Sequence, residues 1–227
     1  MAELIVALDM PEVDAGIRLA RSLRGTVRWV KIGLEMFVLG GPQCVAAYKD
    51  MGFQVFLDLK MYDIPNTVAS AVSAAARMGV DMLTLHTQGG EAMCRAARAA
   101  LEACAGPRPL LFGVTVLTSM GPGDLPAFSG DMGALAVRLA QGAQEWGLDG
   151  VVCSGHEVRT IKEACSGLRC LTPGIRPASA AANDQKRVMT PAAAVQAGSD
   201  FLVVGRPITR AENPVRTAED ILRDMGS

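Results

Sequence analysis

The chain has 227 residues and a formal net charge of −1; half of its residues are apolar and only 4% are aromatic. This length allows one large domain, and we expect it to span residues 1–227 around a core of aliphatic side chains. The balanced charge argues against binding to nucleic acid or to an anionic membrane, because no basic excess is present to release counterions. A small anionic substrate remains compatible with it.

The six cysteines and two histidines give no sign of a metal site. No Cys-x-x-Cys pair is present, so a structural zinc site is not expected and the cysteines are interpreted as reduced, buried thiols. Residues 1–9 are typical of a strand rather than of a signal peptide. No segment approaches the roughly 18 consecutive apolar residues of a membrane span. We therefore expect a soluble, cytoplasmic protein.

Short apolar runs alternate with amphipathic segments along the whole chain. The predicted strands cover residues 3–9, 28–33, 54–60, 81–86, 110–117, 149–154, 168–173 and 200–205. Predicted helices lie between them, for example at 12–23, 67–78, 91–104 and 134–146. Eight strand-plus-helix units predict an α/β fold, a (β/α)8 TIM barrel. A doubly wound open sheet is the alternative, but no glycine-rich phosphate loop follows the first strand.

Polar residues or glycines lie at the carboxyl end of nearly every predicted strand. They are Asp9, Lys31, Asp58, Lys60, His86, Thr118, Ser154, Gly174, Gly205 and Arg206. Barrel enzymes build their sites from the carboxyl ends of the strands, so these residues predict an active site at that face.

The segment from Asp58 to Asp63 places two carboxylates and an ammonium at the end of one apolar strand. Ionisable groups are costly to bury there, which favours a catalytic role. Lys31 ends the neighbouring strand, so Lys31, Asp58, Lys60 and Asp63 would form a row of alternating charge that keeps Lys60 protonated. Two simpler interpretations stay open. Asp63 could cap the next helix, and Asp58 with Lys60 could be a surface ion pair.

The loops after the seventh and eighth strands predict an anion site, because barrels often bind phosphate there. They carry Arg176, Gln185, Gly205 and Arg206. Residues 176–190 resist a helical reading and predict a lid over the site. A tolerated surface insertion and a rim salt bridge of Arg206 are the alternatives. His86 is interpreted as an interior histidine and Cys153 as a small buried hydrophobic residue.

These motifs together resemble the orotidine 5′-monophosphate (OMP) decarboxylase family in its bacterial form, nearly end to end. The matching segments are Val6-Ala7-Leu8-Asp9, Val30-Lys31-Ile32-Gly33, Asp58-Leu59-Lys60, Asp63-Ile64-Pro65-Asn66-Thr67, Val116-Leu117-Thr118-Ser119, Leu171-Thr172-Pro173-Gly174-Ile175-Arg176-Pro177, Asp184-Gln185 and Val204-Gly205-Arg206-Pro207-Ile208-Thr209. The Asp-x-Lys-x-x-Asp motif is shared with a sugar-phosphate decarboxylase, whereas the full set is specific.

The resemblance implies a barrel that converts OMP to UMP in pyrimidine biosynthesis without a metal or an organic cofactor. It implies that Lys60 protonates the ring carbon, that Asp58 lies near the departing carboxylate, and that Lys31 orients Lys60. The implied substrate-binding residues are Asp9, Lys31, Asp63, Thr67, Thr118, Arg176, Gln185, Gly205 and Arg206. It also implies a homodimer in which Asp63 and Thr67 reach into the partner subunit's site.

One departure and two rival functions accompany the resemblance. Ala178 stands where many relatives have a glutamine or another polar residue, so Arg176 and Gln185 would carry more of the phosphate binding. A Mg2+-dependent decarboxylase of the 3-keto-L-gulonate 6-phosphate type would need a further carboxylate, for which Glu35 is the candidate. A non-catalytic nucleotide-binding barrel is disfavoured by Lys60 with its two aspartates.

Overall fold

The computed structural model describes residues 2–121, 123–125, 128–177 and 188–226, which form a closed barrel of eight parallel strands. The strands are β1 (Glu3–Ala7), β2 (Trp29–Ile32), β3 (Gln54–Met61), β4 (Met82–His86), β5 (Leu110–Val114), β6 (Gly150–Val152), β7 (Arg169–Thr172) and β8 (Phe201–Val204). Each strand pairs with the next, and β8 pairs with β1. The predicted barrel is confirmed, and the open-sheet alternative is wrong because this pairing leaves no sheet edge.

Helices follow the strands around the outside of the barrel. They are α1 (Val13–Leu23), α2 (Leu34–Asp50), α3 (Pro65–Arg77), α4 (Gly90–Glu102), α5 (Met132–Glu145), α6 (Val158–Ala164), α7 (Pro191–Ala197), α8 (Arg206–Thr209) and α9 (Pro214–Asp224). The four predicted helices are confirmed. α3 begins two residues early, because Pro65 fits the first turn, where a missing N–H is tolerated. Within the described ranges, no helix has the length and apolarity to cross a membrane.

Large side chains fill the inside of the barrel. Phe201 packs edge-on against Trp29 and Phe112, with ring centroids 5.7 and 5.8 Å apart. Phe56 and Val203 belong to the same buried cluster and lie nearer the carboxyl end, where they line a cavity. The interior is therefore a packed core whose upper layer forms the floor of that cavity.

Three aspartates at the amino end of the barrel make the same set of hydrogen bonds, and we call these units strand clips. Each aspartate directly precedes an even-numbered strand. Its carboxylate accepts from a cation at 2.6 Å and from a backbone N–H of the preceding strand at 2.7 Å: Asp81 from Lys49 and Val55, Asp149 from Arg98 and Leu111, and Asp200 from Lys162 and Cys170. The clips tie neighbouring units together at the end opposite the predicted site.

Most of the predicted lid lies outside the described residues, including Ala178 and Gln185. At its described ends, Ile175 forms a parallel bridge with Met189. The Arg176 N–H donates to the Met189 carbonyl at 3.0 Å. The two ends of the loop are thus joined beside the end of β7.

Candidate active site

A cavity of about 440 Å3 opens at the carboxyl end of the barrel. Nine of the predicted site residues line it: Asp9, Lys31, Asp58, Lys60, Thr118, Gly174, Arg176, Gly205 and Arg206. His86 and Ser154 are not among its lining residues. The cavity is therefore lined by side chains from the first three β/α units and by side chains that follow β5, β7 and β8.

Four side chains form a charge cluster on one wall: Asp9, which follows β1, Lys31 on β2, and Asp58 and Lys60 on β3. The Lys31 Nζ donates to both carboxylate oxygens of Asp9 at 3.0 Å and lies 3.5 Å from Asp58 Oδ2. The Lys60 Nζ donates to Asp58 Oδ2 at 2.8 Å. The charges along this row alternate in sign, as predicted. Within one chain, however, the row runs from Asp9 to Lys60 and does not include Asp63.

Asp58 is the centre of the charge cluster and is only 8% exposed. Burial raises the pKa of its carboxyl group, but Lys31, Lys60 and the hydroxyl of Thr84 outweigh it and hold the pKa below its ordinary value. Asp58 is therefore ionised at neutral pH and compensates two ammonium groups. Because Asp58 is buried, its ion pair with Lys60 is not a surface ion pair, and that alternative interpretation is wrong.

The backbone is irregular where it presents Lys60. The register of β3 against β4 shifts between Leu57 and Met61. Lys60 has a φ of 51°, the one positive φ of a non-glycine residue in the described part of the chain. Its N–H donates to the Thr84 Oγ1 at 3.0 Å, and that hydroxyl donates to Asp58 Oδ1 at 2.9 Å. Thr84 thus fixes both Lys60 and Asp58, and the strained backbone lies at the site, as is typical of functional positions.

Gly33 matters to the charge cluster through its missing side chain. A Cβ at this position would overlap Asp9 Oδ1 and would stand 2.8 Å from Lys31 Nζ. Its φ of −90° is open to any residue, so only this contact demands glycine. Sequence reasoning missed the role because the signal is an absent atom.

Replacing Gly33 with alanine is expected to push Asp9 away from Lys31 and to lower kcat/KM by about tenfold or more. Steady-state kinetics would measure the loss. Gly167→Ala is the matched control, because a Cβ there meets nothing within 4 Å. Equal kinetics for the two variants would contradict this role of Gly33.

Arginines occupy the opposite wall. Arg176 is only 7% exposed, and its Nε has no hydrogen-bond partner among the described residues. Burial, and then the charge of Arg206, lower the pKa of Arg176. Two neighbouring guanidinium groups suit an anion such as phosphate. Arg210, which sequence reasoning missed, lines the same cavity four residues after Arg206.

Asp63 and Thr67 do not line the cavity of their own chain and are exposed. The Asp63 carboxylate accepts from the Ile64 N–H at 2.7 Å. Ile64 is the N-cap residue of α3 and makes no side-chain cap bond, so the predicted helix-cap role of Asp63 is wrong. Tyr62 and Ile64, which flank Asp63, are 61% and 66% exposed.

The remaining candidates lie outside the cavity. His86 is partly buried, with its ring 5.7 Å from that of Tyr62; burial and then Lys60 lower its pKa, against the opposing effect of Asp58. Cys153 is buried, and its hydrogen bond with Cys170, together with burial, raises its pKa, as expected for an unreactive thiol. Glu35 is exposed on the first turn of α2 and does not line the cavity.

A closed barrel with a buried charge cluster facing arginines at its carboxyl end defines the class of barrel enzymes that act on small anions. The sequence model of the orotidine 5′-phosphate decarboxylase / HUMPS family matches residues 2–221. The chain belongs to this family and is an enzyme of the orotidine 5′-phosphate decarboxylase type.

Individual relatives agree with the family match. A protein of Nitratidesulfovibrio vulgaris (strain DP4) named orotidine 5′-phosphate decarboxylase is 55% identical, over 100% of this chain and 99% of that one. The protein of the same name from Lawsonia intracellularis is 51% identical, over 99% and 100% of the two chains. The crystal structure of orotidine 5′-phosphate decarboxylase from Lactobacillus acidophilus superposes with a TM-score of 0.86 at 34% identity and covers both chains completely.

Proposed function

We propose that this chain decarboxylates orotidine 5′-monophosphate to UMP in pyrimidine biosynthesis, with Lys60 as the proton donor. The observation that carries the proposal is the buried Asp58, which is held between Lys31 and Lys60 in a cavity whose other wall is cationic. The cavity suits a substrate with an anion at each end. OMP has a carboxylate on its pyrimidine ring and a phosphate on its ribose.

The proposed binding mode follows the charges of the two walls. Arg176 and Arg206, with Gly205 beside them, would hold the phosphate, and the predicted partner Gln185 would join them. Asp9 and Lys31 would contact the ribose hydroxyls, and Thr118, which is 7% exposed, would contact the pyrimidine. The carboxylate would then lie against Asp58 and Lys60. Phosphate binding far from the reacting carbon supplies energy that positions the ring.

The proposed chemistry has two events at one carbon. The bond from ring C6 to the carboxylate breaks, CO2 leaves, and the electron pair stays on C6. The Lys60 Nζ then gives a proton to C6, which forms the C–H bond of UMP and leaves a neutral amine. Asp58 keeps Lys60 positioned, and its negative charge disfavours the bound carboxylate more than the departing CO2.

We further propose a homodimer in which Asp63 and Thr67 complete the partner subunit's site. The support is a set of large exposed apolar side chains on two consecutive β/α units: Tyr62 and Ile64 beside Asp63, and Leu34, Val38 and Leu39 on α2, all more than half exposed. Large exposed apolar side chains grouped on neighbouring units are typical of protein interfaces. The chain would act as one domain, with residues 176–190 as its lid.

An ultraviolet assay that follows loss of OMP in the presence of EDTA tests the function. Full activity is expected, because no proposed step uses a metal. Absence of turnover, or activity only after Mg2+ is restored, would contradict the proposal and favour the Mg2+-dependent alternative. Sedimentation of the active protein as a monomer would separately contradict the dimer.

A further inference from the structure

Thr84 of β4 lies opposite the irregular part of β3. The register between the two strands shifts between Leu57 and Met61, so that residues 58–60 stand opposite this single residue. Residues inserted into a strand in this way lose their regular partners on the neighbouring strand. Their backbone groups therefore need other hydrogen-bond partners.

The side chain of Thr84 takes the place of such a partner. Its Oγ1 accepts from the Lys60 N–H at 3.0 Å and donates to Asp58 Oδ1 at 2.9 Å. The direction of both bonds is fixed by chemistry, because a backbone N–H can only donate and an ionised carboxylate can only accept. A hydroxyl does both at once, whereas the side chain of valine, which has a similar shape, can do neither.

The two bonds of Thr84 close a ring through Lys60. The Lys60 Nζ donates to Asp58 Oδ2 at 2.8 Å, and the Lys60 backbone N–H is joined to Oδ1 of the same carboxylate through the threonine hydroxyl. Lys60 is thus held at its backbone and at the tip of its side chain. Its φ of 51° is costly for a residue with a side chain, so contacts such as these must maintain it.

Other buried threonines of the barrel show what a purely structural hydroxyl does. Thr87 and Thr115 are fully buried, and their hydroxyls donate to the backbone carbonyls of Val114 and Val152 at 2.8 and 3.0 Å. Such bonds satisfy a buried group without contacting an ionised one. Thr84 is equally buried and does not line the cavity, yet it contacts two members of the charge cluster.

We propose that Thr84 is a positioning residue for the decarboxylation, whose hydroxyl holds Lys60 and Asp58 in the arrangement from which the proton is delivered. It acts through these two residues and makes no contact with the substrate in the proposed binding mode. The inference rests on the proposed role of Lys60 as proton donor. A displaced ammonium slows proton transfer but leaves the arginines of the opposite wall in place, so kcat should fall while nucleotide affinity is kept.

Thr84→Val removes the hydroxyl and nearly keeps the volume of the side chain. It is expected to lower kcat for OMP about tenfold or more, while the Kd for UMP changes by no more than about threefold. Thr84→Ser keeps the hydroxyl and loses a methyl group, so it should be less stable than wild type but keep kcat within about threefold. Steady-state kinetics, calorimetric titration with UMP and urea unfolding measure these effects.

Hydrogen exchange of the Lys60 backbone amide, followed by NMR, reports the Thr84 hydrogen bond without any turnover. The amide should exchange about tenfold or more faster in Thr84→Val than in wild type or Thr84→Ser. Thr87→Val is the matched control, because it removes a buried hydroxyl that donates to the Val114 carbonyl and not to the charge cluster. Its kcat and its Lys60 exchange should equal those of wild type.

The comparison of Thr84→Ala with Thr84→Ser isolates the hydroxyl, since these variants differ in that group alone. Thr84→Ala is expected to be about tenfold slower or more. The proposal is overturned if folded Thr84→Val keeps the kcat of wild type, or if Thr84→Ala and Thr84→Ser have equal kcat. Turnover by Lys60→Ala would contradict the proposed proton donor instead, so the two failures are distinguishable.

Discussion

Lys60→Ala is expected to lower kcat for OMP by about 1,000-fold or more, while the Kd for UMP changes by no more than about threefold. The reason is that Lys60 is the proposed donor to ring C6, whereas the phosphate is proposed to bind Arg176 and Arg206 on the other wall. Steady-state kinetics and calorimetric titration with UMP measure the two effects. Substantial turnover by Lys60→Ala would rule out the proton-donor role.

Two further variants separate chemistry from structure. Lys162→Ala breaks a lysine–aspartate pair of 2.6 Å in a strand clip far from the cavity, so it should destabilise the chain and keep kcat. Lys60→Gly should be as inactive as Lys60→Ala but more stable by about 0.5–1 kcal/mol, because glycine adopts a positive φ without steric cost. A less stable Lys60→Gly would contradict strain at this residue.

Asp58→Asn is expected to lower kcat about 100-fold or more and the free energy of unfolding by about 3 kcal/mol. The amide keeps the size of the side chain but leaves Lys31 and Lys60 close together without the carboxylate that compensates them. Kinetics and urea unfolding measure the two losses. Asp149→Asn in a strand clip is the matched control, and it should lose stability while retaining kcat.

The same variant has a defined dependence on pH. The folded pKa of Asp58 lies below its ordinary value of 3.8, so the unfolded chain takes up a proton more readily. The stability that Asp58 contributes is thus complete above that value and is lost as pH falls through the folded pKa. The difference in unfolding free energy between wild type and Asp58→Asn should narrow on acidification. A constant difference from pH 7 to about 3 would contradict the low pKa.

The barrel and the charged half of the site could be predicted from the sequence, because their signals lie in residue types. Asp58 and Lys60 stand out as ionisable groups at the end of an apolar strand, where burial without a partner is costly. Lys31 lies near the end of β2 and Asp9 follows β1, so the parallel order of the barrel brings them together. The eight strand positions were predictable for the same reason, since apolar runs mark strands that are buried on both faces.

The features of the site that could not be predicted depend on three-dimensional geometry, which residue types alone do not specify. Gly33 acts through the space it leaves for Asp9, and Thr84 has its hydroxyl in the middle of an apolar strand. The positive φ of Lys60 breaks the regular alternation that β3 was expected to follow. Asp63 looks like a member of the charge cluster, yet its carboxylate accepts from the Ile64 N–H and lies outside the cavity of its own chain. Its proposed place in a second subunit came from the family resemblance.

The strand clips also divide the molecule in a way that the strand order alone does not reveal. They recur before β4, β6 and β8, and the corresponding position before β2 holds Arg28, which pairs with Glu3 of β1 at 3.3 Å with the charges exchanged. The barrel thus consists of four modules of two β/α units each, and within each module these ion pairs join the two units at the amino end of the barrel. The strand clips lie at the amino end of the barrel, which the proposed catalysis does not use, so the sequence of the catalytic loops can vary without breaking them. The boundaries between modules are therefore suitable points for circular permutation or for exchange between related barrels.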